Sequence, residues 1–388
     1  MCKKALIICL GNPKVTNRAR RLSLFLIAQN LSLDCICYDH NIDTSLKVSN
    51  YSFIIQKKGF LNISFIRRIS RHIPSLLILI SKYLSSFSEF VNDWHHNLIT
   101  LRRSINSKTY EYIVVEDLKL LPFAFSVKGK SRILFDAREY YTRQFEDHLF
   151  WSLIEKPFRN YICAKYLQYC DLVISVSNGL KDEYRCEYGI NSILVRSTPN
   201  YEDIKFHDCN HTIKLVHHGV ANPNRKLHLM IEVMNQLDER FELDMFLNGS
   251  SKEILKLTNI ADKTKRVRIL SPVPSKNVLN TISNYDVGFC FLPPYTFNLK
   301  HCLPNKFFDC IQARLALAIG PSVEMKPIVE KYSCGVVSED FTVGSMVRTL
   351  RKLNPDLVNI AKKNSHRAAS DLCWEKESMV LNPFFDRK

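Results

Sequence analysis

The sequence predicts an α/β protein of two domains, each a parallel sheet wrapped by helices, and three observations carry that prediction. Its 388 residues exceed what one ordinary core accommodates. Short apolar, β-branched runs alternate with longer stretches of helical periodicity from end to end. A polar segment near the middle, Ser197 to Asn210, contains Pro199, lacks periodicity and reads as a linker. Hydrophobic residues make up 46% of the chain and charged residues 24%, which excludes a disordered or fibrous protein.

In the first half, strands are expected near Ala5 to Leu10, Asp34 to Tyr38, Tyr112 to Val115, Arg132 to Phe135, Leu172 to Val176 and Ser192 to Val195. Apolar residues at three- and four-residue spacing predict helices over Asn17 to Asn30 and Pro157 to Cys170. The second half repeats the theme, with strands near Ile213 to His217, Leu243 to Leu247, Arg266 to Leu270, Val287 to Phe291, Ala316 to Ile319 and Gly335 to Val337. A helix over Leu227 to Leu237 follows the loop after its first strand. Each half therefore reads as a doubly wound, Rossmann-like domain, and no short internal repeat relates them.

Lys and Arg outnumber Asp and Glu by 54 to 38, a net charge of +16 that favours phosphates, nucleic acid or an anionic membrane face. No nucleic-acid module accompanies that charge, so no nucleic-acid partner is expected. The thirteen cysteines are scattered, without the spacing of a zinc site or of a disulfide scaffold, and fit a reducing compartment. The apolar run at the start, Ala5 to Leu10, is shorter than a signal-peptide core, and no transmembrane helix is predicted; a cytoplasmic location is expected. Between Leu61 and Val91, Arg67, Arg68, Arg71, His72 and Lys82 sit among Ile, Leu and Phe. That pattern fits either a membrane-surface element or a helix pair packed on the first domain with its charges in solvent.

Ligands of open α/β sheets bind beyond the carboxyl ends of the strands, so the loops after the first strand of each half are the places to search. The first, Gly11 to Arg18, sets Gly11 after the strand and Lys14 and Arg18 at the mouth of a helix, either an anion site or a plain turn. The second runs from His217 through Gly219 to Arg225 and Lys226. There the cations and the orphan N–H groups of the next helix would act on one diphosphate; a solvated basic pair is the alternative. The third element, His301-Cys302-Leu303-Pro304-Asn305-Lys306-Phe307-Phe308-Asp309, opens a helix at Pro304 with Asn305 and Lys306 facing the site. Asp309, a turn further on, either accepts ribose hydroxyls or lies on the wet side of an amphipathic helix.

Asn224-Arg225-Lys226-Leu227 before a helix resembles the diphosphate loop of retaining glycosyltransferases of the B type, the two-Rossmann-domain GT-B fold. The similarity is to the large bacterial group that includes sucrose synthases and many polysaccharide and lipopolysaccharide transferases. Leu303 to Asp309, then Ala313 and the strand Ala316 to Ile319, looks like that family's donor-site helix. Asp171 to Ser177 with Tyr184 and Tyr188-Gly189 is similar to its last N-terminal strand and helix, and Trp374-Glu375 resembles the start of its closing helix. The sequence departs from the family in several places. His301 stands for the first acid of an acidic pair and Asp309 for the second, Lys226 and Arg314 stand where Gly is usual, and Arg138 replaces the His of Asp136-Ala137-Arg138-Glu139-Tyr140. The resemblance is to a divergent member.

The resemblance implies two Rossmann-like domains facing a cleft: an acceptor-side domain over residues 1–200, a nucleotide-sugar domain over 211–371, and a C-terminal helix over 372–388 crossing back to the first. It implies transfer of a sugar from a nucleoside-diphosphate sugar to a hydroxyl of a glycan or lipid-linked saccharide, with retention, as in surface polysaccharide synthesis. Arg225, Lys226, Glu139 and Arg138 would then act in catalysis, and Gly219, Arg225, Lys306, Asn305, Asp309 and Gly11 would hold the donor, without a metal and with no cofactor beyond the donor. An anionic membrane on the inner face of the cell membrane is a further expected partner. A catalytically silent protein that binds a sugar nucleotide or a partner enzyme is the alternative, favoured by the substitutions at His301, Lys226 and Arg314.

Overall fold

A computed structural model describes residues 3–9, 17–37, 51–55, 72–80, 84–96, 98–106 and 109–386. The chain forms two compact units. One comprises Met1–Val195, Thr296–Asn298 and Val380–Lys388; the other comprises Arg196–Tyr295 and Leu299–Met379.

In the first unit the described strands are β1 (Lys4–Ile8), β2 (Ser32–Cys37), β3 (Tyr51–Ile55), β4 (Tyr112–Val115), β5 (Arg132–Ala137), β6 (Leu172–Ser175) and β7 (Ile193–Leu194). They pair in parallel in the order β3-β2-β1-β4-β5-β6-β7, with Ile7 opposite both Cys35 and Val114. Ala5 to Ile8 are wholly buried, as continuous apolar strands must be when helices cover both faces of a sheet. Strand β3 is absent from the expectations above, because Tyr51-Ser52-Phe53-Ile54-Ile55 is a short edge strand that pairs with β2 alone. The helix Asn17–Ala28 ends two residues sooner than its periodicity suggests, because Asn30 adopts a left-handed φ of 57°.

Of the basic segment Leu61 to Val91, residues 61–71 and 81–83 lie outside the described residues. The helices Ile73–Ile80 and Ser85–His95 are described, and they are anchored to their unit by polar contacts. Ser75 Oγ donates to the Glu155 carbonyl at 3.4 Å, Asn92 Nδ2 donates to the Lys119 carbonyl at 2.8 Å, and Tyr161 and Tyr166 both donate to Glu89 at 2.7 Å. Their outer faces leave Leu79, Ile80, Phe87 and Phe90 exposed, and the apolar helix Leu149–Ile154 buries none of its residues.

The second unit carries β8 (Ile213–Ala221), β9 (Phe241–Gly249), β10 (Val267–Leu270), β11 (Val287–Cys290), β12 (Ala316–Ile319) and β13 (Gly335–Val337). These strands are also parallel, in the order β10-β9-β8-β11-β12-β13. Residues 197–210 hold no helix or strand and are pinned within this unit. The Trp374 N–H donates to the Pro199 carbonyl at 2.8 Å, and Asn359 Oδ1 accepts from the Cys209 N–H at 2.7 Å.

The single closing helix expected over 372–388 is instead three short pieces, Trp374–Ser378, the 3₁₀ turn Met379–Leu381 and Asn382–Phe385, because Pro383 restarts the last one. That last piece belongs to the first unit, where Phe384 and Phe385 pack on Tyr112 at 5.6 and 4.8 Å and Arg132 lies 4.0 Å over Phe384. Among the described residues no helix is long and apolar enough to cross a membrane.

Candidate functional site

In the second unit the strand order reverses between β8 and β11, and the space beyond their carboxyl ends is where an open sheet binds ligands. Strand β8 runs four residues beyond its expected end at His217, so His218 and Gly219 are still on the sheet. The loop that follows is ordered by its own side chains. Asn222 Oδ1 accepts from the Asn224 N–H at 2.9 Å and opens a 3₁₀ turn over Pro223–Arg225. Lys226 then takes a left-handed φ of 50°, and the helix runs from His228 to Gln236. That φ is one a glycine would adopt freely, and Lys226 accepts the strain. Arg314 likewise has a positive φ, of 63°.

The second wall is the helix Asn305–Gln312, entered from Pro304 in extended conformation. It lies tight against β11, since a Cβ on Gly288 would fall 2.5 Å from Cys310 Sγ. That approach carries Lys306 to the end of β8, where its Nζ lies 3.1 Å from His217 Nε2. A Cβ on Gly219 would fall 2.9 Å from Lys306 Nζ and 3.6 Å from an Arg225 guanidinium nitrogen. Gly219, Arg225 and Lys306 therefore converge.

Asp309 lies beside this group, its Oδ2 3.6 Å from His218 Nε2, beyond hydrogen-bonding reach. Burial, and then the Lys306 charge, hold His218 neutral down to about 3, so the nearby carboxylate does not charge it. Asn305 is exposed at the helix start. Lys226 Nζ lies over the Tyr295 ring, 5.4 Å from its centroid. His301 Nδ1 sits 3.3 Å from Glu324 Oε1, so its position presents an imidazole backed by a buried carboxylate.

Arg138 and Glu139 belong to the first unit, at the end of β5. Arg138 lies 3.7 Å from Glu116, whose burial raises its carboxyl to about 7. Burial likewise raises Glu139 above the usual carboxylate range. Beneath them Asp136 accepts two bonds from Arg18, at 2.6 and 2.8 Å, with both residues buried. Gly11 and Lys14 lie outside the described residues. Sequence reasoning missed His217, His218 and Glu116; the signal was a His pair at the end of a buried parallel strand, where a polar residue must find a partner. No group of three or more His, Cys, Asp or Glu among the described residues is arranged to hold a metal ion.

Gly219→Ala tests the convergence. The added Cβ meets Lys306 and takes a φ of 130°, so stability should fall by about 1–3 kcal/mol. Anion binding should fall by at least about tenfold, since the methyl occupies the point shared by the two cations. Isothermal titration of the folded variant with a nucleoside diphosphate checks this; unchanged affinity would mean that no ligand approaches Gly219.

No family model and no curated protein matches this sequence. Solved structures do resemble it over nearly its whole length. A sucrose-phosphate synthase from Thermosynechococcus elongatus matches with a TM-score of 0.75 at 11% identity, over 99% of this chain and 98% of that one. S. aureus TarM, in complex with fondaparinux, α-GlcNAc-glycerol and UDP, matches with 0.69 at 10% identity, over 99% and 100%. Anabaena HepE, in complex with UDP and glucose, matches with 0.68 at 10% identity, over 99% and 100%. At these identities the likeness establishes the shared fold, the α/β architecture of GT-B glycosyltransferases.

Proposed function

We propose that this chain is a metal-independent, retaining glycosyltransferase of the hexosyl type, which moves a sugar from a nucleoside-diphosphate sugar to a hydroxyl of a glycan or lipid-linked saccharide. The observation that carries this reading is the convergence of Gly219, Arg225 and Lys306 at the strand ends where the sheet order reverses. Structural neighbours with UDP bound, TarM and HepE, support it.

Transfer requires negative charge to build on the departing diphosphate. Buried Lys306 and part-buried Arg225 already stand together there and oppose that charge with little reorganisation. The N-terminus of the helix Asn305–Gln312 adds its N–H groups. Asp309 accepts the ribose hydroxyls, while Lys226 adds a further positive charge at the loop. Arg138 and Glu139 are assigned to the sugar or the acceptor. The excess of cations and the exposed apolar helix Leu149–Ile154 favour work at an anionic membrane face, in surface polysaccharide synthesis.

His301 in place of an acid keeps a silent sugar-nucleotide-binding protein as the second reading. One experiment separates the two. The purified protein is offered UDP-glucose, UDP-N-acetylglucosamine and GDP-mannose, with a chelator and with acceptor lipid in anionic vesicles, and released nucleotide and vesicle-bound protein are measured. Turnover of one donor, unaffected by chelator, is expected. Binding without turnover would select the silent protein, and binding of no donor would end both readings.

A further inference from the structure

The pocket that would hold the diphosphate contains a lysine with an unusual neighbour. Lys306 is 5% exposed, and its hydrogen-bond partner among the described residues is an imidazole, at 3.1 Å. His217 is 1% exposed, and its Nδ1 lies 2.8 Å from the Phe289 carbonyl on the strand across the reversal point. A carbonyl only accepts, so Nδ1 carries the proton and Nε2 is left as a lone pair facing Lys306. The tautomer is thus set by the backbone, and an ammonium at Lys306 would have one neutral acceptor for three N–H groups.

Of the other groups facing Lys306, Arg225 from the β8 loop repels it and His218 on β8 is neutral, while the Cys290, Cys302 and Cys310 sulfurs around it favour its charged form, each by less than burial and Arg225 oppose it. Asp309, one turn along its own helix, stands at His218. A buried cation without a carboxylate is costly, and an incoming dianion removes that cost.

We propose that capture of the diphosphate at this site is coupled to uptake of one proton by Lys306, and that His217 is the positioning residue that holds the amine ready for it. The inference rests on the reading of this pocket as a sugar-nucleotide site. The amine takes its proton from solvent as the pyrophosphate arrives and returns it when the nucleotide leaves, so the balance over one turnover is zero. Burial first, and then Arg225, press the Lys306 ammonium down to about 7 in the empty site, while burial and Lys306 hold His217 well below its ordinary value. The sign follows. A bound anion raises the amine's value, so binding takes up a proton wherever the free amine is neutral, and affinity falls as pH rises through about 7.

The test is titration calorimetry of the whole protein with UDP-glucose and GDP-mannose in buffers of different ionisation enthalpy. The pyrophosphate of an intact sugar nucleotide has no proton to exchange near neutrality, so any uptake belongs to the protein. About half a proton at pH 7, about one at pH 8.5, and about a 20-fold loss of affinity between pH 6.5 and 8.5 are expected from the linkage. Lys306→Arg, which cannot lose its charge, should bind without uptake and with a flat pH profile. His217→Phe should weaken binding and move the midpoint of the profile downward, and His217→Gln, which keeps an acceptor, should restore both. Binding with no uptake by the natural protein, uptake persisting in Lys306→Arg, or weakening by His217→Phe with an unmoved midpoint would overturn the inference and leave the donor site standing. Failure of both donors to bind at any pH would remove the site reading itself. Should Lys306→Arg not fold, the buffer series on the natural protein decides alone.

Discussion

Arg225→Ala is expected to lower kcat/KM for the sugar donor by about 10²–10³-fold while leaving the fold intact. Arg225 closes the 3₁₀ turn after β8, only part-buried, and its guanidinium donates to the Val220 carbonyl at 3.4 Å. Its guanidinium lies with Lys306 around the point that a Gly219 side chain would fill. Removing it leaves Lys306 as the one cation of the pair to oppose the charge on the departing diphosphate. Both a thermal-shift titration with UDP and GDP and steady-state kinetics check this. The variant should melt within about 0.5 kcal/mol of the natural protein without ligand. It should also lose the stabilisation that nucleotide confers. A variant with unchanged kcat/KM would show that the cationic cluster is not where the leaving group sits.

Asp136→Ala is expected to destabilise the first unit by about 3–5 kcal/mol, the usual result of stripping one partner from a buried ion pair. Asp136 is fully buried and accepts two charge-assisted bonds from Arg18, which also donates to the Val195 carbonyl at 3.0 Å. Without the carboxylate, a guanidinium stays behind in a site that excludes water. The loss belongs to the unpaired charge rather than to the pair, so Arg18→Met combined with Asp136→Leu should recover much of it. Urea unfolding followed by the fluorescence of Trp151, a residue of the first unit, reads the effect. A shift no larger than that of a surface substitution would show that Arg18 finds water or another acceptor.

Alternation of apolar strands and amphipathic helices determined the two parallel-sheet units, and it did so because strands covered on both faces must be apolar throughout. Eleven of the strands it placed along the sheets pair as described, and Ser192 to Val195 is reduced to the two residues of β7. The edge strand β3 and the three-piece closing segment were not legible, since five residues with one partner and a proline between short turns leave no periodic trace. The residue types of the candidate site, Gly219, Arg225, Lys306 and Asp309, were legible too, because a glycine and cations after a strand announce themselves locally. Only the tertiary structure decided which of them meet. Lys306 stands more than eighty residues from Gly219 and reaches it because Gly288 lets one helix settle on β11, while Lys226, adjacent to Arg225, lies over the Tyr295 ring from a left-handed backbone. His217 could not be assigned from its neighbours in sequence, since what fixes its tautomer is a carbonyl on another strand, and sequence order carries no record of distances across a sheet.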